Sequence, residues 1–281
     1  MNARSALLTL VLLAFVAPAS VSGATPQRIV SLSPTLTEDL FAIGAGKQVV
    51  AVDDQSNYPV NAPKTKLSGF KPNVEAIVKY KPDLVVLSND TNKLVSKLKA
   101  LDIAVALEPS ATTLADSYSE LLALGKLTGH AQGATKVVAG MKAQIAKIVA
   151  AVPKRATPLT YYHELDQTYY SVTSKTFIGK IYSLLGLRNI ADTAPGVDKS
   201  FGYPKLSSEF IVNANPDLIF LADTKCCKQN AAAVAKRPGW EGITAVIDKH
   251  VVALDDDVAS RWGPRIVIFL RTVAAQVAAV K

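Results

Sequence analysis

The residues able to do chemistry are few and scattered. His130, His163 and His250 stand alone, and the only two cysteines, Cys226 and Cys227, are neighbours. No Cys-x-x-Cys or histidine cluster offers a metal set. Gly-x-Ser-x-Gly, His-Glu-x-x-His and the phosphate-cradling Walker loop are missing as well. Asp255-Asp256-Asp257 is a run of carboxylates four residues ahead of Arg261, expected to pair locally or to lie in solvent. No clustered acid–base pair of the kind an enzyme needs is visible, so no catalytic residue, resident metal or cofactor is expected. His163 closes an apolar strand and reads as a structural histidine, with an axial metal ligand as the sharper alternative. Cys226-Cys227 reads as two free thiols, because adjacent Cα atoms lie ~3.8 Å apart and disulfides usually span ~4.4–6.8 Å.

What the chain does offer is aromatic loops. Tyr58, Phe70, Tyr169, Tyr170 and Trp262 all fall in segments rich in turn residues rather than in apolar runs. Flat rings with a few polar handles suit a large planar ligand. Thr35 and Asn89 supply such handles, and Arg261 supplies a cationic fork for an amide, phosphate or carboxylate edge. These eight residues form the expected ligand site.

The elements that must position them come as a repeat. Lys71–Leu87 reads KPNVEAIVKYKPDLVVL and Lys205–Leu221 reads KLSSEFIVNANPDLIFL. Glu75 and Glu209 are 134 residues apart, and so are Pro82 and Pro216. Each copy has a capping Asn73 or Ser207, a short helix, a Pro-Asp turn and an apolar strand, at 84–87 and 218–221. Strands this uniformly apolar suit parallel sheets covered on both faces. A weaker echo precedes each copy. Residues 28–33 and 159–163 read as strands, followed by helices at 35–43 and 176–185 that end at Gly44 and Gly186. Thr35 with Glu38 has the pattern of a capping box. Between the halves, helices are expected at 113–127 and 131–152, the second roughly 30 Å long at ~1.5 Å per residue.

The spacing therefore predicts an α/β protein: two parallel-sheet lobes joined by a single long helix. The divisions are 25–129 for the first lobe, 130–152 for the helix and 153–281 for the second lobe. Ligands of open parallel sheets sit beyond the carboxyl ends of the strands, where the aromatic loops fall. Glu75 and Glu209 occupy the first turns of equivalent helices, where each stabilises the helix dipole by roughly 0.3–1 kcal/mol. As a matched pair they also suit two arginines of a two-fold symmetric partner.

Residues 1–24 have the layout of a secretory signal: Arg4, an apolar stretch from Ala6 to Ala17, Pro18, and Ser22-Gly23-Ala24 as the cleavage site. No cysteine follows that stretch, so no lipid anchor is expected. The whole chain has 281 residues, about half hydrophobic, and a formal charge of +8. Its basic residues are dispersed, without the stripe that nucleic-acid binding needs. A solvated basic surface that also attracts anionic ligands fits better.

Several segments together resemble the iron-chelate and cobalamin class of periplasmic binding proteins. They are RIVSLSPTLTEDLFAIG from Arg28, SNYP from Ser56, the two PDL repeats with their upstream glutamates, and SRWGPRIV from Ser260. The resemblance spans almost all of the chain after the leader. It implies an exported, monomeric substrate-binding protein of an ABC importer, with little hinge motion. It further implies that Glu75 and Glu209 dock on a permease dimer driven by its ATPase. SNYP and the Arg-Trp pair resemble the cobalamin binders most, although cobalamin pockets of the class carry more tryptophan. Cobalamin is thus the expected ligand. A ferric siderophore comes second, and haem third, through His163 or a cleft tyrosine. A chelatase on the same scaffold is the enzyme alternative.

Overall fold

Asp83 and Asp217, from the two Pro-Asp turns, explain physically why the sequence repeats. The Asp83 carboxylate accepts the backbone N–H groups of Gln27 (2.7 Å) and Arg28 (2.9 Å). Asp217 accepts the N–H of Thr160 at 2.7 Å and its hydroxyl at 2.7 Å. Each aspartate thus ties the start of its lobe's first strand to the start of the repeat strand and sets their parallel register. The computed structural model describes residues 25–280, so the expected leader lies outside the described residues.

The first half runs β1 (Ile29–Ser31), α1 (Pro34–Ile43), β2 (Val49–Val52), α2 (Val74–Val78), β3 (Leu84–Leu87), α3 (Leu94–Lys99), β4 (Ala104–Leu107) and α4 (Leu114–Leu127). The long helix α5 (Ala131–Ala151) follows. The second half runs β5 (Thr160–Glu164), α6 (Phe177–Ser183), β6 (Arg188–Asn189), α7 (Ser208–Ala214), β7 (Leu218–Leu221), α8 (Ala231–Ala235), α9 (Thr244–Ile247), β8 (Val251–Ala253), α10 (Asp256–Ser260) and α11 (Ile266–Ala279). The halves form separate four-stranded sheets with the same order, β2-β1-β3-β4 and β6-β5-β7-β8, and every pairing is parallel. The repeat strands β3 and β7 are central and buried throughout.

The repeat helices are capped as expected. Asn73 accepts the N–H of Ala76 and Ser207 accepts that of Phe210. The capping box at Thr35 and Glu38 does not form. The helix begins one residue earlier, with Ser33 at its N-cap and Pro34 in its first turn, and Glu38 is drawn into an ion cluster instead. Gly44 closes α1 at φ 102°, a conformation that a Cβ would strain. A true capping box appears at Thr113 and Asp116, starting α4.

Helix α5 packs on α1 and α4 at one end of the molecule's core and on α11. Its buried face is Ala134, Val138, Met141 and Ile145, spaced as one helical stripe. Burying each of the three larger side chains contributes roughly 1.5–3 kcal/mol. Its first turns lie so close to α1 that a Cβ on Gly133 would sit 2.0 Å from the Ile43 carbonyl oxygen. A single apolar cluster runs from Leu36 and Leu40 through Met141 to Tyr182 and Phe269, so the strut shares its core with both lobes. No helix among the described residues is long and apolar enough to cross a membrane.

Candidate functional site

The segment after β8 starts in the second sheet and ends against the first lobe. Asp257 of α10 accepts a hydrogen bond from the Asn57 amide at 3.0 Å. Arg261, just past α10, donates to Glu38 of α1 at 2.7 Å, to Asp257 at 2.9 Å and to the Gln55 carbonyl at 3.0 Å. Arg265 donates to the other Glu38 oxygen at 2.8 Å. On the far side, Lys180 of α6 reaches the Thr112 carbonyl at 2.9 Å. These contacts hold the carboxyl ends of both sheets on one side of the molecule, where the connecting loops converge.

The expected ligand residues divide by exposure. Phe70 is 75 % exposed, Tyr58 and Tyr170 are each 42 % exposed, and Asn89 is exposed. Tyr58 lies flat under the Arg265 guanidinium, 4.2 Å from ring centroid to carbon. Trp262 is half-buried, and its indole N–H donates to both oxygens of Glu120, at 3.1 and 3.2 Å. Tyr169 is partly covered, stacked on Trp240 at 5.7 Å and below Arg237. Thr35 is buried inside α1, too deep to face a ligand. Arg261 does not stand free as a cationic fork: the inter-lobe cluster around Glu38 occupies it, because a guanidinium this buried needs carboxylate partners.

Two further aromatics belong to this face. The segment carrying Phe201 and Tyr203 runs beside the loop after β5, with the Thr173 N–H donating to the Gly202 carbonyl and the Ser171 N–H to the Pro204 carbonyl. Phe201 is 85 % exposed and Tyr203 half-exposed, beside Tyr170. The sequence signal was available, since Tyr203 stands two residues before the second repeat copy and Phe70 one before the first. A separate pocket of about 520 Å³ opens on the flank, between Tyr58, Phe41, Gln144 and Arg271. It is walled by α1, α5, α11 and the loop after β2, through Tyr58, Pro59 and Asn61.

Below the rings lie acids that the sequence reading missed. Asp39 is buried on α1 with neither carboxyl oxygen bonded to a donor, facing Glu120 of α4. Burial raises the Asp39 carboxyl well above its ordinary range, and the Glu120 charge adds to this. Burial likewise pushes Glu120 up to about 7. The second lobe has a counterpart at the ends of β5 and β7. Glu164 makes a bidentate pair with Arg237, both contacts 2.6 Å. Asp223 beside it is pushed up to about 7, first by burial and then by Glu164. These shifted carboxyls are clustered where the sequence shows no acid–base pair of the kind an enzyme needs. Asp39 and Asp223 are nevertheless enclosed, so neither presents its carboxyl to a bound molecule.

His163 is fully buried, bonded through Nδ1 to the Tyr182 hydroxyl at 2.7 Å, and burial lowers its pKa to about 3. It is a neutral core residue, which removes it as an axial ligand. The Cys226 and Cys227 sulfurs are bonded to each other, correcting the expectation of two free thiols. Asp256 holds their loop through the N–H groups of Thr224, Lys225 and Cys226. Asp255 and Asp257 pair with Lys225, as the local-pairing expectation required. Among the described residues, no group of three or more His, Cys, Asp or Glu side chains is placed to hold a metal ion.

Glu75 and Glu209 are exposed in the first turns of α2 and α7. Their helices lie outside the set of aromatic loops.

Comparison with known proteins agrees with this architecture. A cobalamin-binding protein of Halobacterium salinarum is 32 % identical over 251 residues, 86 % of this chain and 67 % of that protein. A vitamin B12-binding protein of Pectobacterium atrosepticum is 27 % identical, with 92 % of this chain and 91 % of that protein aligned. The solved structure of a possible iron-binding, periplasmic solute-binding protein from Staphylococcus epidermidis superposes with a TM-score of 0.76 at 27 % identity. It covers 90 % of this chain and 99 % of that one. The profile of the periplasmic binding protein family matches residues 29–258. By its duplicated parallel sheets, its joining helix and this match, the chain belongs to the periplasmic binding protein family.

Proposed function

We propose that the chain captures a bulky metal-chelate ligand, cobalamin first, between its lobes and delivers it to an ABC importer. The observation that carries this reading is that both lobes place aromatic side chains in the loops after their strands, most of them exposed. Tyr58, Phe70 and Trp262 stand against the first lobe, and Tyr170, Phe201 and Tyr203 against the second. Large flat rings contribute by burial on contact and tolerate a ligand that is itself planar and mostly apolar. In this reading residues 25–129 and 153–281 are the jaws and 130–152 the strut. The relatives named for cobalamin and vitamin B12 support the corrinoid.

Glu75 and Glu209 then dock the loaded protein on arginines of a permease dimer, which its ATPase drives. Residues 1–24 are the export signal, and the delivered form is a monomer. A ferric siderophore is the second reading, favoured by the Staphylococcus epidermidis likeness. Haem would need a cleft tyrosine such as Tyr58 or Tyr170. Native mass spectrometry of the protein purified from its own host tests the proposal: a retained corrinoid is expected, and a retained sugar or amino acid would overturn it.

A further inference from the structure

Tyr58 is held from the opposite half of the chain. First-lobe groups fix the start of its loop: the Asp53 carboxylate accepts the Gln55 N–H at 2.8 Å and the Ser56 hydroxyl at 2.8 Å. The Ser56 and Thr37 hydroxyls meet at 2.8 Å. These bonds hold the loop and not the ring, and an exposed ring is otherwise free to change rotamer. What lies over the ring is the Arg265 guanidinium, its carbon 4.2 Å from the centroid. Arg265 has little freedom of its own. Its carbonyl accepts the N–H groups of Ile268 and Phe269, so its backbone is the start of α11. Phe269 and Leu270 of that helix are buried in the core. Nε and Nη2 of Arg265 donate to the two oxygens of Glu38, which is 3 % exposed. Such a two-point contact fixes the plane of a guanidinium as well as its position, which a lysine ammonium cannot reproduce.

We infer that Arg265 is a positioning residue that orients the Tyr58 ring for ligand contact, with Glu38 setting the guanidinium in place. One face of the ring is against the arginine, and the 42 % of Tyr58 that stays exposed is what a ligand can meet. Because the ring is already held, a ligand does not have to order it on binding, and the ordering cost avoided appears as affinity. Arg265 acts through the ring and not by its own charge: its side chain is 16 % exposed and is paired with Glu38. The aromatic wall that the first lobe offers is thus completed by a residue of the second half. What the ring meets rests on the proposed function; how the ring is held does not.

Two measurements separate these parts. In the ligand-free chain, isotopically labelled at arginine, the NMR signals of the Arg265 guanidinium should be displaced upfield by the Tyr58 ring current. They should move downfield in Tyr58→Leu and stay displaced in Tyr58→Phe, which keeps a ring. Signals that do not move in Tyr58→Leu overturn the stacking and the inference with it. Tyr58 is exposed enough for its variants to fold, so this comparison decides even if Arg265→Lys does not fold. Cyanocobalamin affinity is then measured by calorimetry for the parent, Arg265→Lys, Tyr58→Leu and the double variant. Arg265→Lys should weaken binding at least about threefold in the parent and cause no further loss in Tyr58→Leu. An equal loss in both backgrounds means that Arg265 touches the ligand or merely supports the fold, and overturns the positioning role. An Arg265→Lys affinity equal to the parent's overturns it too. Failure of cyanocobalamin to bind the parent, with the guanidinium signals displaced as expected, overturns the corrinoid reading and leaves the hold on Tyr58 standing.

Discussion

Replacing Glu38 with alanine should weaken the structure that holds the lobes together. Glu38 is almost wholly buried and receives Arg261 at 2.7 Å and Arg265 at 2.8 Å. Its loss leaves Arg261, 8 % exposed, with only Asp257 and the Gln55 carbonyl. Breaking a buried ion pair from one side typically costs about 3–5 kcal/mol, because the stranded charge has lost its solvation. Arg265 is more exposed and keeps its stacking on Tyr58, so the lower end, about 3 kcal/mol, applies. At about 2–4 °C per kcal/mol for a chain of this size, the midpoint should drop by roughly 6–12 °C. Glu38→Gln keeps the shape and an acceptor oxygen and should lose roughly half as much. Scanning calorimetry of the three proteins at pH 7.5 measures this. A Glu38→Ala shift smaller than about 2 °C would mean that Arg261 finds water easily, and that the cluster does not fix the lobes.

Three other outcomes are expected. Reversing both docking charges, Glu75→Arg with Glu209→Arg, should abolish uptake in cells while ligand affinity in solution stays within about twofold, since both side chains are exposed in first helical turns and are not among the rings. Normal transport by the double variant would reduce them to helix-dipole residues. Trp262→Ala should weaken ligand binding at least about tenfold, or ~1.4 kcal/mol, by fluorescence-independent calorimetry; an unchanged affinity would take Trp262 off the ligand face. Thermal stability should be higher at pH 5 than at pH 8. Glu120 and Asp223, both about 7 when folded against ordinary values of 4.5 and 3.8, contribute stability at low pH that is lost as pH rises through 7. His163, about 3 when folded against 6.5, contributes stability above pH 6.5 that is lost as pH falls toward 3. Between pH 5 and 6.5 the two carboxyls outweigh the single imidazole. A melting temperature that climbs from pH 5 to pH 8 would contradict the burial of these groups.

The repeat was legible because it is written in local terms. A cap, a short helix, a Pro-Asp turn and an apolar strand occupy seventeen consecutive residues twice, and the structure uses them in the same way twice. The helix at 131–151 was legible from its period and from the proline that follows it. The short outer strands β2, β4, β6 and β8 were not singled out, since two to four residues at a sheet edge leave little pattern. The charged interior was hidden for a different reason. Arg261 looked free because its partner Glu38 lies 223 residues earlier, and Trp262 finds Glu120 across 142 residues. Glu38 and Asp39 do stand inside an apolar helix, and Glu120 precedes two leucines; that misplacement was the available hint. Burial of an acid is a property of the assembled lobes, not of its neighbours in sequence. His163 illustrates the same limit, since only the packing of Tyr182 decides that it faces the core.

The central claim is that this face holds a bulky metal chelate. Calorimetric titration of the purified chain with cyanocobalamin, a ferric siderophore and haemin, alongside a sugar and an amino acid, tests it most directly. The account predicts saturable one-to-one binding of cyanocobalamin, tighter than the other chelates, and no heat from the sugar or the amino acid. Tight binding of the sugar or the amino acid, with no response to any of the three chelates, would contradict it.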